Sequence, residues 1–135
     1  MTEITIHTDG AARGNPGPAG AGAVITDTKG NVVAEVCKYL GETTNNQAEY
    51  QALLLALEEA KKHGALRVSI FSDSELMVRQ LNGEYKVKNA GLRPLFEKAF
   101  RLLRDIGGYK VMHIPREKNK RADQLANLAI DGQVL

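Results

Sequence analysis

The chain has one cysteine, Cys37, in 135 residues, so it can form no internal disulfide. That fits a reducing compartment, and a cytoplasmic location is expected. Cys37 itself reads as a small apolar side chain within a strand. No apolar run approaches the roughly 18 residues of a membrane span, so no membrane partner is expected. Met1-Thr2-Glu3 has no basic stretch followed by an apolar one, which gives no sign of a signal peptide. An excess of one charge is also missing. Eighteen Lys and Arg against 16 Asp and Glu leave a net +2, too little to select a class of partner. No Cys or His cluster offers a zinc site. Repeats and Pro/Gly/Ser linkers are absent, so residues 1–135 are expected to be one domain. No apolar surface stripe demands a second copy, and a monomer is expected.

What is present is a 43% hydrophobic content typical of globular chains, with charges placed unevenly. Basic residues crowd positions 79–104 and 116–121. Ile4–Gly10 has the alternating, β-branched pattern of a strand, and the Gly- and Pro-rich stretch Ala11–Gly20 reads as a loop. Ala21–Thr26 and Val32–Leu40 read as two further strands around a hairpin turn at Asp27–Asn31. A polar link, Gly41–Asn46, leads into a helix over Gln47–His63, stopped by Gly64. Then come a strand over Arg67–Phe71, a short helix over Glu75–Leu81 and an irregular basic stretch, Glu84–Gly91. An amphipathic helix over Pro94–Ile106, a strand over Tyr109–Ile114, a loop over Pro115–Lys118 and a helix over Asn119–Ile130 complete the chain. Three strands followed by alternating helices and strands predict an α/β fold: a mixed sheet with helices packed on it.

Four acids stand where structure alone would not choose them. Asp9 and Asp73 end strands, in Thr8-Asp9-Gly10 and Ser72-Asp73-Ser74. Glu49 shares a helix face with Leu53, Ala56 and Ala60, so it should point towards the sheet. Asp123 heads the last helix. Taken singly, each has a structural role available. Asp9 could open a turn, Glu49 could form a capping box with Asn46, Asp73 could cap a helix, and Asp123 could complement a helix dipole. Ser72 and Glu75 already offer a cap near Asp73. Taken together, two strand ends and two helix starts converge where open α/β sheets place their sites. Four carboxylates there would repel one another without cations between them, and all-oxygen ligands suit Mg²⁺ or Mn²⁺. Two such ions could clamp the attacking and leaving oxygens of a phosphoryl displacement.

With these residues in place the chain resembles the type 1 branch of the ribonuclease H family over nearly its whole length. The motifs that carry the likeness are Thr8-Asp9-Gly10 with Gly14-Asn15-Pro16-Gly17-Pro18, then Thr43-Thr44-Asn45-Asn46-Gln47-Ala48-Glu49, then Ser72-Asp73-Ser74, and Arg121-Ala122-Asp123 with Leu125-Ala126. The resemblance implies a ribonuclease H-like five-stranded mixed sheet, its first three strands antiparallel, with helices on both faces. It implies two Mg²⁺ ions, with Mn²⁺ as a substitute, at Asp9, Glu49, Asp73 and Asp123, with Gly10 beside them. The implied reaction is hydrolysis of the RNA strand of an RNA–DNA hybrid to 5′-phosphate and 3′-hydroxyl ends; whether double-stranded RNA is also cut stays open.

It further implies minor-groove contacts from Asn15, Asn45 and Asn46, where amides suit 2′-hydroxyls. A DNA-phosphate pocket is implied at Thr44 and Asn89. The basic protrusion of well-known bacterial members is absent, since only Gly83–Leu92 fills its place. Affinity is then expected to rest on Arg79, Lys86 and Lys88. Glu42 and Glu75 stand where family members often carry basic or amide groups. Many members place an assisting histidine before the last acid. His113 lies ten residues ahead of Asp123, but reads as a packed strand residue, which leaves Arg116 as the first mobile side chain near the acids. Two other readings compete: a nucleic-acid-binding domain of the same fold with weak catalysis, and a glycosidase-like carboxylate pair.

Overall fold

The computed structural model describes residues Thr2–Val134, with side chains through Gly132. The elements run β1 (Glu3–Ala12), β2 (Gly17–Thr26), β3 (Val32–Thr43), α1 (Asn45–Lys62), β4 (Arg67–Ser72), α2 (Glu75–Leu81), α3 (Arg93–Ile106), β5 (Gly108–His113), a 3₁₀ turn (Arg116–Lys118) and α4 (Lys120–Val134). They build one five-stranded sheet in the order β3-β2-β1-β4-β5. β2 pairs antiparallel with β1 and β3, while β1, β4 and β5 run parallel. The expected mixed sheet with an antiparallel start is present. Among the described residues no helix is long and apolar enough to cross a membrane.

Alternation along the strands decides what each face meets. Ile4, Ile6, Ala23, Ile25, Val68 and Ile70 bury against Leu53, Leu57 and Ala60 of α1, and the same core takes in Met77 and Leu81 of α2 and Leu103 of α3. Gly20 and Gly22 alternate with the inward Ala21 and Ala23, so they face the other side, where α4 lies. A Cβ at Gly20 would sit 2.2 Å from the Ala126 carbonyl oxygen, and one at Gly22 would sit 2.4 Å from that of Ala122. The helix backbone rests on the strand itself. Gly22→Ala is therefore expected to lower stability by about 1–3 kcal/mol, which thermal melting would register as a drop of ~3–10 °C. An unchanged midpoint would mean that α4 can lift without cost.

The strands run longer than their composition suggests. β1 continues through Asp9 and Gly10 to Ala12, and β2 begins at Gly17, so the loop shrinks to residues 13–16. Ala11 pairs with Gly20 and Ala12 with Ala19, and Arg13 N donates to the Pro18 carbonyl at 2.8 Å. Pro18 lacks a donor, but its carbonyl still serves the ladder. Gly20, at the end of the expected loop, is one of the two residues that admit α4. β3 likewise extends to Thr43. Cys37 does lie in this strand, but it is exposed rather than packed.

α1 begins at Asn45 because Thr44 and Gln47, not Asn46 and Glu49, form its capping box. At α2 the cap is Ser74, whose Oγ accepts from Met77 N at 3.3 Å, and Ser72 Oγ accepts from Ser74 N. Neither Glu49 nor Asp73 is used up in capping.

Candidate active site

The last parallel pair between β1 and β4 joins Thr8 to Ser72. The residues that follow, Asp9 and Asp73, therefore emerge side by side. This is also the switch point of the sheet, where β1 has a parallel neighbour on one side and an antiparallel neighbour on the other. Glu49 reaches in from α1, and its Oε1 accepts from Gly10 N at 2.8 Å. That approach needs glycine, because a Cβ at position 10 would lie 2.2 Å from the carbonyl carbon of Ala48. Carboxylate oxygens of Asp9, Glu49 and Asp73 all lie within 4.8 Å of one another. Asp123, in the first turn of α4, stands against Asp9 from the opposite face.

The energetics are those of crowded, dry acids. Burial, reinforced by the charges of Glu49 and Asp73, pushes the Asp9 carboxyl up to about 10. Burial likewise pushes Glu49 up to about 8, although the Gly10 N–H works the other way. Without a cation such groups keep their protons at neutral pH. The donor set is all oxygen and clustered tightly enough for one ion to touch three acids. It fits a hard divalent cation.

The acids line an open cleft of about 610 Å³ together with Arg13, Asn45, His113, Arg116 and Asn127. Asp123 Oδ1 accepts from Asn127 Nδ2 at 3.3 Å and faces the Arg116 guanidinium at 3.8 Å. Arg116 is exposed, as expected. The expectation for His113 needs correction. It is paired in β5 opposite Ser72, but it is the last strand residue, and its exposed side chain lines the cleft instead of packing. Both residues therefore flank the acids.

Of the expected substrate residues Asn45 lines the cleft, and Asn15 is hydrogen-bonded to it. Asn15 Oδ1 accepts from Asn45 N at 3.1 Å, and Asn45 Oδ1 accepts from Ala12 N at 3.1 Å, which ties the 13–16 loop to the start of α1. Asn46 is exposed on the same turn. The Thr44 hydroxyl accepts from Gln47 N at 3.2 Å. Asn89 Oδ1 accepts from Gly91 N at 2.7 Å, and a Cβ at Gly91 would lie 2.8 Å from the Gln47 amide nitrogen. The loop carrying Lys88 and Asn89 thus abuts the turn carrying Thr44. Arg79 shares its guanidinium with two exposed acids. It pairs with Glu75 at 3.3 Å and Glu84 at 3.6 Å, and lies over the Tyr85 ring.

Three residues at or beside the acids went unnoticed in the sequence. Asn127 could have been found, being four residues after Asp123 on one helix face. Arg13, which reaches Asn127 at 3.2 Å and Asp131 at 2.6 Å, and the buried Asn119 carry no local signal.

A mixed sheet of this order with acids gathered at its switch point defines the ribonuclease H-like class. A family model described as reverse transcriptase-like matches residues 7–129. A ribonuclease HI of Halobacterium salinarum is 44% identical over 128 residues, covering 95% of this chain and 64% of that protein. A bifunctional protein of Mycobacterium tuberculosis is 42% identical, and this chain spans only 36% of it. A ribonuclease H of Chlorobaculum parvum is 37% identical over 96% of this chain and 97% of its own length. Among solved structures, LC11-RNase H1 in complex with an RNA/DNA hybrid superposes with a TM-score of 0.94 at 50% identity, covering 98% and 99% of the two chains. RNase H1 of Halobacterium salinarum also gives 0.94, at 42% identity over 96% and 98%. The chain belongs to the type 1 ribonuclease H family.

Proposed function

We propose that residues 1–135 act as a single monomeric domain that hydrolyses the RNA strand of RNA–DNA hybrids, in a reducing compartment such as the cytoplasm. The observation that carries this reading is the cluster of Asp9, Glu49 and Asp73 within 4.8 Å at the switch point of a type 1 ribonuclease H fold. Asp9, Glu49, Asp73 and Asp123, with Gly10 beside them, would hold two Mg²⁺ ions, for which Mn²⁺ could substitute. Bound there, such cations offset the acids, sharpen water as a nucleophile and stabilise the departing oxygen. Water adds to phosphorus and the P–O3′ bond breaks, leaving a 3′-hydroxyl and a 5′-phosphate.

The other residues bind and orient. Asn45 in the cleft, with Asn15 hydrogen-bonded to it and Asn46 beside it, would offer amide groups that can donate to and accept from 2′-hydroxyls, which favours RNA in the scissile strand. Thr44, on the turn at the start of α1, with Lys88 and Asn89, on the loop that abuts it through Gly91 and Gln47, would hold a phosphate of the DNA strand. Arg116 offers a planar guanidinium of donors only, which suits orienting a phosphate. His113, the other cleft residue next to the acids, is the group suited to proton transfer. Digesting hybrid, DNA–DNA and RNA–RNA duplexes side by side tests the substrate class. Cleavage confined to hybrid, or to hybrid and double-stranded RNA, supports the reading, and equal cutting of DNA duplex overturns it.

Arg79 is shared with Glu75 and Glu84, whereas Lys86 and Lys88 form no ion pair among the described residues. Lys88→Ala is expected to weaken hybrid binding and to lower the slope of log affinity against log salt by about 0.7–0.9. Titrations in chelator at several salt concentrations check this, and an unchanged slope would remove Lys88 from the interface.

A further inference from the structure

Asn119 immediately precedes α4, four positions ahead of Asp123, and is 2% exposed. An asparagine at that position ordinarily turns its side-chain oxygen back to cap the helix. Here Oδ1 is buried with no hydrogen-bond partner, while Nδ2 donates at 2.7 Å to the carbonyl of Thr8, across 111 residues of sequence. Thr8 is the residue before Asp9, and its own hydroxyl is also buried and unpartnered. Unpaired buried polar atoms lower stability. Among the described residues they occur at these two side chains alone, where the strand bearing Asp9 meets the helix bearing Asp123.

We infer that Asn119 is a positioning residue that sets the Asp123 carboxylate against Asp9. The inference rests on the reading of these acids as a cation site. Asp123 N donates to the Asn119 carbonyl at 3.1 Å, so the first turn of α4 moves with Asn119. The other side-chain ties of α4 to the rest of the chain, Arg13 with Asn127 and Asp131, Arg116 with Asp123 and Arg121 with Glu35, are open to solvent, which fixes geometry weakly. The Asn119–Thr8 bond is the buried one. Its donor is a short side chain with little freedom, and it is made directly beside both acids.

The test is Mn²⁺ affinity of the full chain by calorimetry, without nucleic acid. Wild type is compared with Asn119→Ala, Asn119→Leu and Asn82→Ala. Leucine fills the volume of asparagine but cannot donate. Asn82 makes a similar bond, to the Val111 carbonyl at 3.1 Å, and does not line the cleft. Each protein is measured at the same interval below its own melting midpoint. Both Asn119 variants should bind Mn²⁺ about ten-fold more weakly or worse. Their hybrid affinity in chelator should be unchanged, and Asn82→Ala should bind Mn²⁺ like wild type. Wild-type Mn²⁺ affinity in Asn119→Leu would reduce Asn119 to a space-filler, and an equal loss in Asn82→Ala would show that affinity merely follows stability; either overturns the inference. A wild type that binds no Mn²⁺ overturns both this inference and the cation reading. A wild type that binds Mn²⁺ yet leaves hybrid uncut overturns only the proposed hydrolysis, and the comparison of variants still decides the role of Asn119.

Discussion

Asp9→Asn is expected to cut cleavage of an RNA–DNA hybrid by at least about a thousand-fold while the fold stays intact. The substitution preserves size and shape but removes the acid nearest the centre of the cluster. Asp9 is 5% exposed and shares its surroundings with Glu49, Asp73 and Asp123, so no other side chain can move in to replace its charge. The same crowding predicts the opposite effect on stability. In the cation-free protein at neutral pH, folding must keep a proton on Asp9 that the unfolded chain would release. Asparagine has no such requirement. The variant should melt higher by roughly 5–10 °C in chelator, an increase of ~2 kcal/mol. Cleavage and melting should therefore move in opposite directions. Near-normal cleavage by Asp9→Asn would remove the cation-centred account, and a large drop in melting would mean that Asp9 holds the fold together.

The second large effect is on the pH dependence of stability. In the folded, cation-free protein the carboxyls of Asp9 and Glu49 hold protons up to about 10 and about 8. In the unfolded chain ordinary carboxyls release theirs near pH 4. Between these limits the folded state binds more protons than the unfolded one, so stability falls as pH rises. It should be greatest below about pH 4 as far as these two groups decide it, and be lost progressively as pH climbs through 8 towards 10. Melting in chelator from pH 5 to pH 9 should fall by the equivalent of ~3 kcal/mol, a sizeable part of a domain's total stability. Mg²⁺ or Mn²⁺ competes with those protons, so its stabilisation should grow with pH and flatten the curve. Asp9→Asn should flatten it without any cation. A melting point in chelator that is constant or rises with pH would contradict the proposed crowding of the acids.

The acids were legible in the sequence because strand ends and helix starts are places the pattern can locate. Glu49, Asp73 and Asp123 sit at or near such boundaries; Asp9 lies inside β1, which runs on to Ala12, but just past the point where that strand's parallel pairing with β4 stops. The caps were not legible. Thr44-Asn45-Asn46-Gln47-Ala48-Glu49 offers two overlapping box patterns, and only the three-dimensional end of β3 decides between them. The early part of β2 was hidden for a different reason. Gly17, Pro18 and Gly20 look like a loop because strand patterns reward bulky side chains, whereas here the space is taken by backbone, that of Arg13 at Gly17 and that of α4 at Gly20. His113 was placed in the right strand, but its exposure depends on where that strand stops. Asn119 left no trace at all, since a buried strut and a solvated loop amide are the same letter until β1 and α4 are brought together.

The central claim is that these four acids hold divalent cations which hydrolyse RNA paired to DNA. The most direct measurement is digestion of a hybrid by the full chain in Mg²⁺ and in chelator, with the new ends identified on the RNA strand. The account predicts cutting of the RNA strand in Mg²⁺ alone, leaving 5′-phosphate and 3′-hydroxyl ends, and no cutting in chelator. Equal cutting in chelator, or ends carrying a 2′,3′-cyclic phosphate, would contradict it.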